Sequence, residues 1–106
     1  MTFDELYSIL LENIKKHPKD IRTIPLKGGG VWFYCSLKGN EICIQTSQTK
    51  EPSSRIKADT KITKMDLKKI YPLYLKRQNG EKVSQEALRI SRVQVYCYAI
   101  FNHYGI

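Results

Sequence analysis

Ser91-Arg92-Val93-Gln94 sets an arginine and a glutamine two positions apart, directly after a serine. Arginine pairs two N–H groups with the guanine edge, and glutamine does the same at adenine, so these side chains suit base reading. A serine ahead of them can cap a helix whose first amides favour a phosphate. Other reactive groups converge less. Cys97 and His103 lie six positions apart, which on a helix points them in different directions and argues against a nucleophile–base pair. His17 and His103 stand alone, without metal-ligand spacing. Cys35, Cys43 and Cys97 form an odd set with no C-x-x-C pair, so neither a disulfide framework nor a structural zinc is expected. All three thiols should be reduced and packed. No cofactor is expected.

The net charge of +8 has a location. Residues 1–49 hold six Lys/Arg against five acids, residues 50–92 hold twelve against five, and residues 93–106 hold none. A basic excess concentrated in this way is the electrostatic footprint of a phosphate-binding surface. The candidate contacts are Arg55, Lys57, Lys61, Lys64, Lys68, Lys69, Arg89, Arg92 and Gln94. With 106 residues and 42% apolar composition, the chain has material for one core, a single domain over 1–106. No apolar run approaches the ~18 residues that cross a bilayer. The first residues are acidic and periodic where a secretory leader would be basic and continuous, so no membrane association and a cytoplasmic location are expected.

These groups need elements to hold them. Thr2 and Glu5 form a capping pattern, after which Phe3, Leu6, Tyr7, Leu10 and Ile14 recur at helical spacing up to Pro18. Asp20–Leu26 reads as a short strand, confined to an edge by Pro25. Gly28–Gly30 lacks the helix and the Lys-Ser/Thr step of a phosphate loop, and reads as a structural turn. Val31–Ser47 is a hairpin. A two-residue turn at Gly39-Asn40 sets Leu37 opposite Ile42 and Cys35 opposite Ile44, with Val31 and Phe33 on the same apolar face. Trp32, Tyr34, Ser36, Cys43 and Gln45 fall on the other face, where Trp32 and Tyr34 could stack on bases or pack beneath a neighbour. Residues 47–63 read as a polar loop with a brief strand near Ile56. Thr63 then caps a helix with a buried stripe of Leu67, Ile70, Tyr71, Tyr74 and Leu75, which Pro72 should kink or divide and Asn79-Gly80 should close. The resulting fold class is α+β: an N-terminal helix, a small antiparallel β-meander, then two or three C-terminal helices.

Ser84-Gln85-Glu86-Ala87-Leu88, followed by Ser91-Arg92 and Gln94-Val95-Tyr96, resembles the helix-turn-helix pattern of DNA readers in a shortened form. That resemblance implies a second helix, capped by Ser91, presenting Ser91, Arg92 and Gln94 to the major groove. The alternative is one continuous helix from Ser84 to about His103, and it is the structural expectation. The early helix–strand–strand–strand–helix order, with Lys64-Met65-Asp66-Leu67-Lys68-Lys69, is similar to double-stranded RNA-binding domains, whose lysine-rich helix start faces phosphates. Asp59-Thr60-Lys61 resembles the metal-binding step of restriction-type nucleases, which would also require an acid such as Asp20 or Glu41. The same D-x-K pattern recurs at Asp66-Leu67-Lys68, inside a helix.

The function expected is therefore a non-enzymatic nucleic-acid-binding domain, with DNA favoured over RNA, working through the basic surface of residues 50–92. The alternative is a protein-interaction or homodimerisation module. In that reading Tyr96, Tyr98, Phe101 and Tyr104 form an apolar patch on the C-terminal helix. A metal-dependent nuclease-like fragment is the minor alternative.

Overall fold

The computed structural model describes residues 2–24, 30–47, 49–54, 56, 60–80 and 93–104. Its elements are α1 (Phe3–Lys16), β1 (Lys19–Arg22), β2 (Trp32–Lys38), β3 (Glu41–Thr46), β4 (Thr60–Ile62), α2 (Lys64–Gln78) and α3 (Gln94–His103). The strands form one antiparallel sheet in the order β1-β2-β3-β4. The α+β architecture is as expected, with a fourth strand added to the meander.

Local chemistry accounts for the helix starts. The Thr2 hydroxyl oxygen accepts the Glu5 N–H, and Asp4 and Glu5 sit in the first turn of α1 with Lys15 and Lys16 in the last. That charge order complements the helix dipole. At α2 the box is complete: the Asp66 N–H donates to Thr63 Oγ1, and the Thr63 N–H donates to Asp66 Oδ2. α2 runs unbroken through Pro72 and stops at Asn79, with Gly80 following at φ +85°.

The hairpin adopts the expected register, with Cys35 opposite Ile44, Leu37 opposite Ile42 and Lys38 opposite Glu41. Gly39, at φ +66°, supplies the backbone that closes the two-residue turn. One sheet face is therefore apolar across all four strands: Ile21, Phe33, Cys35, Ile42, Ile44 and Ile62 are each at most 1% exposed. They form one core with Leu6, Leu10 and Ile14 of α1, Leu67, Ile70, Leu73 and Tyr74 of α2, and most of α3.

β1 is an edge strand, ending at Arg22. Pairing continues past its end through Thr23, whose N–H donates to the Val31 carbonyl while the Val31 N–H donates to Thr23 Oγ1. Gly30 sits beneath this contact. A Cβ there would stand 2.1 Å from the Thr23 carbonyl oxygen, so the backbones approach as closely as they do only because residue 30 lacks one. Gly30→Ala is expected to lower the unfolding free energy by about 1–3 kcal/mol, the usual cost of overpacking, in a urea titration.

Several expectations are corrected. The last strand lies at Thr60–Ile62, not near Ile56; Ile56 instead bonds the side chain of Thr46 through both its N–H and its carbonyl. The buried face of α2 includes Leu73 and leaves Leu75 46% exposed, because Tyr74 and its neighbours turn toward the rings of Tyr98 and Phe101 on α3. α3 begins at Gln94, with Val93 as its cap residue and no side-chain cap bond. One unbroken helix from Ser84 is therefore not formed, and Ser91 is not the cap of α3. The remaining shortened helix-turn-helix features, Ser84 to Arg92, lie outside the described residues.

The aromatic tail has a different fate from that of a partner patch. Phe101 is fully buried, Tyr98 and Tyr104 are at most 8% exposed, and Tyr96 packs edge-on against Phe33 at 4.9 Å. A helix apolar on several sides belongs in an interior. α3 fills that role, packed on α2 and on β1. The Tyr104 hydroxyl donates to the His17 carbonyl at 2.8 Å, and its own carbonyl accepts from Asn13, tying the end of α3 to the end of α1.

Candidate nucleic-acid interface

The sequence-predicted lysines divide into two groups. Lys61 on β4 pairs with Glu41 on β3 at 2.6 Å, and Lys64 at the start of α2 pairs with Asp4 at 2.5 Å. The Lys64 ammonium also stands 5.5 Å from the ring centre of Tyr7. Its hydrogen bond and charge hold the Asp4 carboxyl below the ordinary carboxylate range, with Lys68 adding a smaller effect. Tyr7, Glu41, Lys61, Thr63 and Lys64 line a cleft of about 240 Å³ where β4 meets α2. Both cations there already face an acid, and their exposure keeps each pair weak.

Lys68, Lys69 and Lys76 are exposed on the outward side of α2, with Met65, Pro72 and Leu75 between them. The one acid of the helix, Asp66, is half-buried and bonded back to Thr63. From Lys64 to Lys76 the axis advances about 18 Å at 1.5 Å per residue. Arg77 turns inward: its guanidinium lies 4.7 Å from the Tyr98 ring centre and donates to the Ile24 carbonyl. Arg55, Lys57, Arg89 and Arg92 lie outside the described residues. Gln94 is described and is 6% exposed, enclosed in the first turn of α3. Its amide is not presented to a groove, which corrects its placement among base-edge contacts.

The sheet face turned away from the core carries a second group of residues. Trp32 and Tyr34 are half-buried there, as the alternation along β2 predicts. The backbone of Trp32 bonds Pro52 and Ser54, and the Lys50 ammonium sits 5.6 Å from its ring. Asp20, Tyr34 and Gln45 occupy one cross-strand row through β1, β2 and β3. Together with Thr46 and Thr49 they line a second cleft of about 240 Å³. Thr49 donates its hydroxyl to Asp20 Oδ2 at 2.8 Å.

All three cysteines are free and buried. Burial pushes the Cys35 thiol up to about 12 and raises that of Cys97 as well. Among the described residues no group of three or more His, Cys, Asp and Glu could hold a metal. Asp59 lies outside them. Nor, among the described residues, is any helix long and apolar enough to cross a membrane.

The buried thiol also gives a pH signature. Cys35 and the neighbouring Tyr104 phenol both titrate higher in the fold than in the open chain, chiefly through burial. A raised acid holds its proton more tightly when folded, so its stabilisation is complete below the unfolded value and declines above it. The melting temperature should hold from pH 7 to about 9, where a free thiol begins to titrate, and decline steadily toward pH 12. A melting temperature unchanged across pH 9–11 would contradict the burial of both groups.

Comparison of the chain with protein-family models, with curated proteins and with solved structures found no match.

Proposed function

We propose that this chain is a non-enzymatic nucleic-acid-binding domain whose phosphate-contacting surface is the outward face of α2. The observation that carries the reading is the exposure of Lys68, Lys69 and Lys76 along that helix, whose own acid, Asp66, is half-buried, while the exposed acid Asp4 of α1 is engaged at the Lys64 end. Exposed lysines on a rigid element can neutralise phosphates and release the counterions condensed on a nucleic acid. DNA is the polymer favoured, and a row about 18 Å long is enough to meet several successive phosphates of a nucleic-acid backbone.

The test is fluorescence anisotropy with labelled duplex DNA, single-stranded DNA and duplex RNA, each over a series of salt concentrations. The expected result is binding whose log affinity falls linearly with log salt. Absence of binding to every polymer at low salt, or binding indifferent to salt, contradicts the reading.

A further inference from the structure

The cleft on the outer sheet face is lined by Asp20, Tyr34, Gln45, Thr46 and Thr49 and lies apart from the lysine row on α2. Its floor is built from side chains of unusual mixture for a solvent face. Tyr34 stands between Asp20 and Gln45 in one cross-strand row. The space beside them is bounded by Thr46 and Thr49, at the end of β3 and just beyond it. Two positions back from Tyr34 on the same face is Trp32, with the Lys50 ammonium at its ring. Asp20 is held by a single hydroxyl, that of Thr49, and among the described residues no donor reaches its buried Oδ1. A buried acceptor without a donor calls for an explanation, and a ligand N–H is one.

We infer that this cleft receives one unpaired nucleobase, so that the polymer bound is single-stranded at this point. Aromatic rings on an exposed sheet face serve as stacking platforms for bases that have left a helix. Tyr34 supplies the ring, and Gln45 and Asp20 supply an amide and a carboxylate at the edge. A base edge carries N–H donors that a carboxylate accepts, whereas a phosphate would be repelled by it. Phosphates are instead drawn to Lys50, at the Trp32 side of the cleft. Paired bases in a duplex have their faces covered and cannot enter. The inference rests on the nucleic-acid reading above and adds the strandedness of the ligand.

The chain has a single tryptophan, Trp32, so its emission reports on this face without any substitution. The experiment titrates the wild-type chain, Tyr34→Ala and Tyr34→Phe with single-stranded DNA, single-stranded RNA and duplex DNA. Anisotropy of the labelled polymer and Trp32 emission are followed together, and circular dichroism checks that each variant is folded. The expected result is tighter binding of one single strand than of duplex, with Trp32 emission quenched at saturation. Tyr34→Ala should weaken single-strand binding roughly 5- to 150-fold, the range of one lost base stack, while Tyr34→Phe retains most of it. The tighter of the two single strands names the polymer. Binding of single strands with unchanged Trp32 emission, or at full affinity in Tyr34→Ala, overturns the base site and leaves the lysine surface standing. If no polymer binds, the lysine surface and the base site fail together.

Discussion

Phe101→Ala lowers the unfolding free energy by about 3–5 kcal/mol, the cost of emptying an aromatic site in a packed core. Phe101 is fully buried and lies at the meeting point of two helices, with ring centres of Tyr71 and Tyr74 at 5.1 and 5.2 Å. Those neighbours are held by α2, so the space left by the ring is not refilled by a small rotation. In a domain near this size each kcal/mol corresponds to about 4–8 °C, so the melting temperature falls by at least about 12 °C. Val95→Ala on the same helix provides the contrast. Val95 is 40% exposed, and its replacement should change stability by no more than about 0.5 kcal/mol. Thermal melts of both variants check the pair. Equal effects would mean that α3 does not present Phe101 to the core. The same measurement bears on the dimerisation reading, since a tail consumed by its own core is not available as a partner patch.

Removal of Lys68, Lys69 and Lys76 together has the largest effect expected on the proposed function. Each lysine that neutralises a phosphate on duplex DNA contributes about 0.9 to the slope of log affinity against log salt, so the triple alanine variant should lose close to 3 from that slope. At 0.1 M salt this corresponds to a loss of up to about 500-fold in affinity relative to wild type, closing as salt approaches 1 M. The fold should be unaffected, because all three side chains are exposed. Lys64→Ala is expected to do less, since its ammonium is already engaged by Asp4 and Tyr7 and must exchange those contacts for a phosphate. Anisotropy at four or more salt concentrations separates these cases. A triple variant with wild-type slope would remove α2 from the binding surface.

The strongest local signals in the chain were also the ones that proved most readable. Lys38-Gly39-Asn40-Glu41 determines a two-residue turn, and once that turn is set the alternation of β2 and β3 decides which side chains share a face. Thr2 and Thr63 determine helix starts because the bond that caps a helix lies three residues away. Pro18 and Gly80 mark ends for equally local reasons. The basic character of α2 is likewise written in its residues.

Other outcomes needed partners far along the chain. Thr60–Ile62 becomes a strand because Ile42 and Ile44 offer an unfilled sheet edge, although three residues carry too little pattern to announce it. Leu73 is buried and Leu75 exposed because α3 lies on one side of α2 and not the other. Gln94 and the aromatic tail are enclosed for the same reason, which no periodicity within α3 could reveal. The pairing of Lys61 with Glu41 and of Lys64 with Asp4 follows from strand order and helix placement, so the division of lysines into paired and outward groups is tertiary. The sequence by itself determined the caps, the hairpin register and the basic helix, all of them interactions that close within a few residues. Only the tertiary structure decided which apolar faces meet and which charges remain directed to solvent, because those depend on segments brought together by burial.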